Sequence, residues 1–131
     1  MRSLIAVLIG GAIGTAVRLL LDDLIVHHDD TFPWDTLFIN IVGSFVLAVF
    51  VARLWPVVPD WVRAGLGPGL VGGFTTFSAV MASMVTLAAA GEIGLALVYI
   101  VASLVFGFGA AALGFWIARP RKAVPTIEVN E

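Results

Sequence analysis

Four long apolar stretches, parted by short polar breaks, make up almost the whole of this chain. They run over about 3–21, 36–54, 62–90 and 93–118. A helix needs roughly 20 residues to cross the hydrocarbon core, so each stretch predicts a transmembrane helix. The third exceeds a crossing, which fits an interrupted or displaced helix starting after Pro68. Within it lies Gly72-Gly73-Phe74-Thr75-Thr76-Phe77-Ser78, where a membrane helix should be most regular. Glycine costs about 1 kcal/mol relative to alanine inside a helix, and threonine several tenths. Irregular backbone at membrane depth is tolerated only where it is buried in protein or lines a polar cavity. The segment therefore predicts a third helix broken at mid-membrane, whose freed carbonyls and hydroxyls are put to use. The plainer alternative is that the glycines only let helices approach closely.

The connections are short. Residues 22–35 form an acidic loop containing His27-His28-Asp29-Asp30, 55–61 carry Pro56 and Pro59 between two tryptophans, and Gly91-Glu92 predicts a tight turn. Residues 1–118 thus form one four-helix unit, and 119–131 a polar tail. Composition agrees: 131 residues, 60% hydrophobic and 12% charged, with a mean hydropathy of +1.07. A soluble domain of this size has no interior for so much apolar surface, so the expectation is an all-α integral membrane protein surrounded by lipid. Cysteine is absent, which excludes disulfide and thiolate chemistry. No basic patch with interleaved aromatics points to nucleic acid. The adjacent His and Asp residues of the acidic loop are expected to be solvated, since consecutive side chains rarely share one metal ion well. Arg2 before an apolar run could pass for a signal peptide, but Gly10, Gly11, Gly14 and three later spans favour an uncleaved first helix.

Charge sets the expected orientation. Arg2 precedes the first span, Arg53 and Arg63 flank the second connection, and Arg119, Arg121 and Lys122 follow the fourth. With four spans these regions share one side, and the other carries the acidic loop and Glu92. By the positive-inside rule both termini are expected in the cytoplasm of a multi-pass cell-membrane protein.

No acidic residue falls within the four spans. A proton-coupled exporter usually needs such a group, and a small multidrug exporter specifically a first-helix glutamate that 3–21 lacks. Arg18 is the one charge well inside a span, four residues before Asp22. Either it snorkels to the interface or it concentrates anions at a pore mouth. Asn40 shares a helix face with Thr36 and Ser44, and an unpaired amide there would cost several kcal/mol. Tyr99, Ser103 and Gly107 form a matching line on the fourth span. The alternatives are interhelical hydrogen bonds and a hydrated pathway. All these donors suit an anion, and the positive edge of an aromatic ring such as Phe77 does so too. No nucleophile–base pair or metal constellation suggests an enzyme.

Three segments, Gly10-Gly11-Ala12-Ile13-Gly14-Thr15-Ala16-Val17-Arg18, Thr36-Leu37-Phe38-Ile39-Asn40-Ile41-Val42-Gly43-Ser44-Phe45 and Gly72 to Ser78, resemble in order and spacing the signature segments of the Fluc (CrcB) fluoride channel family. The resemblance implies an antiparallel dimer of four-helix subunits with two narrow fluoride pores, exporting passively the anion that enters as HF. It implies a structural sodium ion held by backbone carbonyls of Gly72 and Thr75. It places the fluoride pathway on Thr36, Asn40, Phe77, Tyr99 and Ser103; Ser78, next to Phe77, is counted with them, and Arg18 remains the candidate pore-mouth cation read from its place in the first span.

Three positions depart from the family pattern. Val80 stands where a second phenylalanine is usual, Ser83 where a glutamate is usual, and Gly107 where the last hydroxyl of the fourth-span track would be. Family pores combine the first ring of one subunit with the second ring of the other, so two copies of this chain lack half of each pair. Together with the one-sided charge, this implies a heterodimer with a homologous four-helix subunit of opposite bias. The alternatives are a homodimer, or an accessory or assembly subunit without an efficient pore of its own.

Overall fold

The computed structural model describes residues 1–24 and 32–119; the His27–Asp30 cluster and the tail after Arg119 lie outside them. Every regular element among the described residues is helical. Helix α1 spans Arg2–Leu24. Helix α2 spans Trp34–Val49 and continues as a π-helical stretch, Phe50–Leu54. Helix α3, Asp60–Ala64, runs through a second π-helical stretch, Gly65–Val71, into α4, Gly72–Phe74. Helices α5, Phe77–Ala89, and α6, Ile93–Ala118, follow. These elements form four stretches long and apolar enough to cross a membrane: Arg2–Leu24, Trp34–Leu54, Asp60–Ala89 and Ile93–Ala118.

Local chemistry explains the irregular points. Pro68 lies inside the second π-helical stretch. Its ring offers no N–H and crowds the preceding turn, and a wider turn absorbs both defects. Helix α5 ends in a glycine cap. Gly91 adopts φ 85°, Glu92 N–H donates to Leu87 O at 2.9 Å, and Gly91 N–H to Ala88 O at 3.1 Å. This pairs late carbonyls that the helix leaves without donors. At the start of α3, Arg63 bridges Asp60 at 3.2 Å and donates from Nε to Val58 O at 3.1 Å.

Packing runs α1 against α3 and the Gly65–Val71 turn, and α2 against α6, with α5 also on α6. Backbones touch along the first of these seams. A Cβ on Gly10 would lie 2.2 Å from Gly65 O, one on Gly14 2.1 Å from Leu70 O, and one on Gly73 2.6 Å from Gly11 O. Small residues at four-residue spacing permit this approach, and close van der Waals packing drives helix association where lipid is as apolar as leucine. The same logic inverts the usual interior. Gly10, Gly14, Asp35, Thr36 and Gly43 are buried, whereas Leu8, Leu97, Val101, Phe108 and Trp116 are exposed. A small apolar cluster of Leu37, Val80 and Tyr99, flanked by Ile41, Met84 and Ile100, closes the space between α2, α5 and α6.

Candidate functional site

The third span changes conformation at Thr75 and Thr76. Thr75 has φ −80°, ψ 154° and Thr76 φ −146°, ψ 120°, both extended. Several polar groups displaced there find partners of a particular kind. Thr75 N–H and its Oγ1 both donate to Val71 O, at 2.8 and 2.9 Å. Thr76 N–H donates to Asn40 Oδ1 at 2.8 Å, and Asn40 Nδ2 donates back to Thr76 O at 2.9 Å. Thr76 Oγ1 caps α5 by accepting from Ala79 N–H at 3.1 Å, and lies 3.1 Å from Ser78 Oγ. Thr15 on α1 donates to Gly73 O at 3.4 Å. An unpaired backbone group buried away from water costs about as much as a lost hydrogen bond, so these contacts make the extended pair tolerable.

Two carbonyls lose their helical donors in the exchange. In an unbroken helix Gly72 O would accept from Thr76 N–H, and Thr75 O from Ala79 N–H. Those amides serve Asn40 Oδ1 and Thr76 Oγ1 instead. Carbonyl oxygens of this kind are the donor set that hard cations accept. Among the described residues no cluster of His, Cys, Asp or Glu offers a side-chain metal site.

Beside the extended pair a groove of about 260 Å³ opens between α2 and α6. Asn40, Gly43 and Ser44 form one wall, Ser103 and Gly107 the other, and Thr75, Thr76, Phe77 and Val80 the end. It continues past Ser44, Ser103 and Gly107 into a second hollow of about 380 Å³ that reaches Val51, Phe108 and Ala111. Gly43 makes room for the end wall, since a Cβ there would fall 2.2 Å from the Thr75 methyl group.

Tyr99 lies fully buried next to this groove, its ring perpendicular to that of Phe32 with the centroids 5.4 Å apart. Its hydroxyl faces Ser103, Ser83 and Thr36 and senses the Asp35 carboxylate. Neither Tyr99 OH nor Ser103 Oγ makes a hydrogen bond of good geometry. Thr36 Oγ1 makes a long contact with Asp35 Oδ2 at 3.4 Å. Buried hydroxyls without partners are exceptions that ask for a reason, such as a bound water or ion.

The structure thus brings Asn40, Thr75, Phe77, Ser103, Val80 and Gly107 around one groove, and gathers Thr36, Ser83 and Tyr99 beside it. Phe77 projects outward at 71% exposure, and Val80 is buried at 3%. Ser78 is exposed beside Thr76, and Gly72 lies one turn before the extended pair. Arg18 does not line the groove; it pairs with Asp22 at 3.9 Å on α1. Ser44, read from the sequence as sharing the Asn40 face, lines the groove as well. Thr15 and Thr76 are further participants, and Thr15 acts through a contact distant in sequence.

Residues 5–115 match the family described as CrcB-like protein, Camphor Resistance (CrcB). The chain is 42% identical over 118 residues to the fluoride-specific ion channel FluC 2 of Halalkalibacterium halodurans, covering 89% of this chain and 86% of that protein. It is 40% identical over 124 residues to the fluoride-specific ion channel FluC of Methylobacillus flagellatus, covering 91% and 96%. It is 37% identical over 120 residues to the fluoride-specific ion channel FluC 1 of Mycobacterium bovis, covering 90% and 91%. With matches of this length running through all four spans, the chain belongs to the CrcB family.

Proposed function

We propose that this chain is a subunit of a fluoride channel that passively releases cytoplasmic fluoride across the cell membrane. The observation that carries the proposal is the groove of Asn40, Thr75, Thr76 and Ser103 beside the extended pair of the third span. Side-chain donors there belong to neutral hydroxyl and amide groups. A small anion exchanging its water shell for such donors meets no charged side chain in the groove lining that would trap it, as conduction requires. The FluC relatives supply the identity of the anion.

Thr75 and Thr76 fall at the midpoint of Asp60–Ala89, which supports a break at mid-membrane. Gly72 O and Thr75 O, freed of helical donors, fit a sodium ion. Such an ion would supply fixed positive charge next to the groove, while Thr15 and Asn40 hold the backbone that presents those carbonyls.

The pore is completed by a second four-helix subunit packed antiparallel. Support comes from the open groove and from Phe77, an aromatic residue 71% exposed at its rim. Val80 provides no ring, and the basic residues favour one orientation, so the partner is a homologous chain of opposite charge bias rather than a second copy.

Fluoride efflux from liposomes tests this, with chloride as the control anion. Rapid fluoride efflux without chloride efflux is expected when the chain is reconstituted with its homologue, and little from the chain alone. Efficient efflux by the chain alone, with antiparallel homodimers trapped by cross-linking, would sink the heterodimer. Silence from both preparations would sink the channel.

A further inference from the structure

The line of hydroxyls along α6 stops short. Residues at i and i+4 stand one turn apart on a helix face, a rise of about 6 Å. Tyr99 and Ser103 occupy two such positions, and Gly107 occupies the third with no side chain. A desolvated small anion leaving Ser103 along α6 therefore finds no donor at the next turn.

The facing wall supplies one. Ser44 on α2 lines both hollows, together with Ser103 and Gly107. A Cβ built on Gly107 has Ser44 Oγ at 3.9 Å as its nearest neighbour and nothing else within 4 Å. The space above Gly107 is thus open and is bounded by the Ser44 hydroxyl. Ser103 Oγ, buried beside Tyr99 OH but without a hydrogen bond of good geometry, marks the other edge of the same space.

We infer that Ser44 and Ser103 form an anion subsite across the α2–α6 seam, in which Ser44 donates the hydrogen bond that α6 lacks at Gly107. The inference rests on the channel function proposed above. Its chemistry is simple: a serine hydroxyl offers one O–H donor and rotates to meet its acceptor, and donors to a charged acceptor are the stronger class. The vacant Cβ position of Gly107 lets the anion, or one water beside it, stand between the two serines.

Geometry also gives the test. A Cβ at Gly107 meets nothing closer than Ser44 Oγ at 3.9 Å, so serine fits there without displacing backbone and its rotatable hydroxyl can be turned toward the space that Ser44 bounds. Three variants, Ser44→Ala, Gly107→Ser and Ser44→Ala/Gly107→Ser, are reconstituted with the homologous subunit. Fluoride efflux and thermal unfolding in detergent are measured for each. Ser44→Ala is expected to slow efflux at least tenfold with an unchanged unfolding temperature. The double variant is expected to recover at least a third of wild-type efflux. Wild-type efflux in Ser44→Ala overturns the subsite, and so does a slow double variant that folds normally. A Ser44→Ala protein with a lowered unfolding temperature that Gly107→Ser does not correct overturns it too, since the hydroxyl would then act in folding. Fluoride efflux by the wild-type complex is the internal reference; its absence counts against the channel function and not against Ser44 in particular.

Discussion

Asn40 occupies both backbone polar groups of Thr76 with a single amide. Alanine there would leave Thr76 N–H without its acceptor and remove one donor from Thr76 O, and each unsatisfied buried group costs about 1–3 kcal/mol. Asn40→Asp is more telling. The carboxylate still accepts from Thr76 N–H, but its second oxygen confronts Thr76 O where an NH₂ had donated. Asn40→Asp in the paired complex is expected to abolish fluoride efflux and lower the unfolding temperature. Undiminished fluoride tolerance in cells carrying it would remove Asn40 from the working groove. The sequence could show that an amide in α2 needs a partner. It could not show that the partner is backbone 36 residues away, because only the folded chain brings Thr76 opposite Asn40. Phe77 and Val80 teach a similar lesson, since their spacing is plain in the sequence but the outward turn of one and the burial of the other come from packing.

At the level of elements, the four spans were legible because membrane burial leaves a long, continuous signal in hydropathy. The π-helical stretches Phe50–Leu54 and Gly65–Val71 were not, since they leave no periodic mark; Pro68 hinted only at the second. The α1 seam was half legible. Gly10 and Gly14 are spaced for close packing, as are Gly65, Gly69 and Gly73, yet the pairing of these two sets is a tertiary fact. It makes a sharp prediction. Gly14→Ala sets a methyl group 2.1 Å from Leu70 O, with backbone that must move away. That change is expected to cost several kcal/mol, within the range for overpacking and strain, and to reduce the yield of folded protein severely. Gly94→Ala, at a helical glycine with nothing within 4 Å, is the matched control. It is expected to be neutral or to stabilise by up to about 1 kcal/mol. Equal unfolding temperatures for the two variants would contradict backbone contact along α1.

For the whole molecule, orientation decides whether the antiparallel pairing proposed above can form. Arg2, Arg53 and Arg63 lie on the side shared by both chain ends if the spans alternate, and Glu92 lies opposite. A reporter fused after Glu131 is expected to read as cytoplasmic, and one fused to the homologous partner as external. A cytoplasmic reading for both would rule out antiparallel pairing. Because the chain has no cysteine, a cysteine introduced at the exposed Phe77 has no internal thiol to meet, which makes it a clean cross-linking probe of that pairing.

The open groove has a consequence for supply. A solitary subunit presents Asn40, Ser44 and Ser103 along a cleft that a neighbour has not covered, and acyl chains give such groups nothing to bond with. Under the pairing proposed above, a copy left without its partner keeps these groups against lipid. The heterodimer therefore calls for synthesis of the two chains in matched amounts.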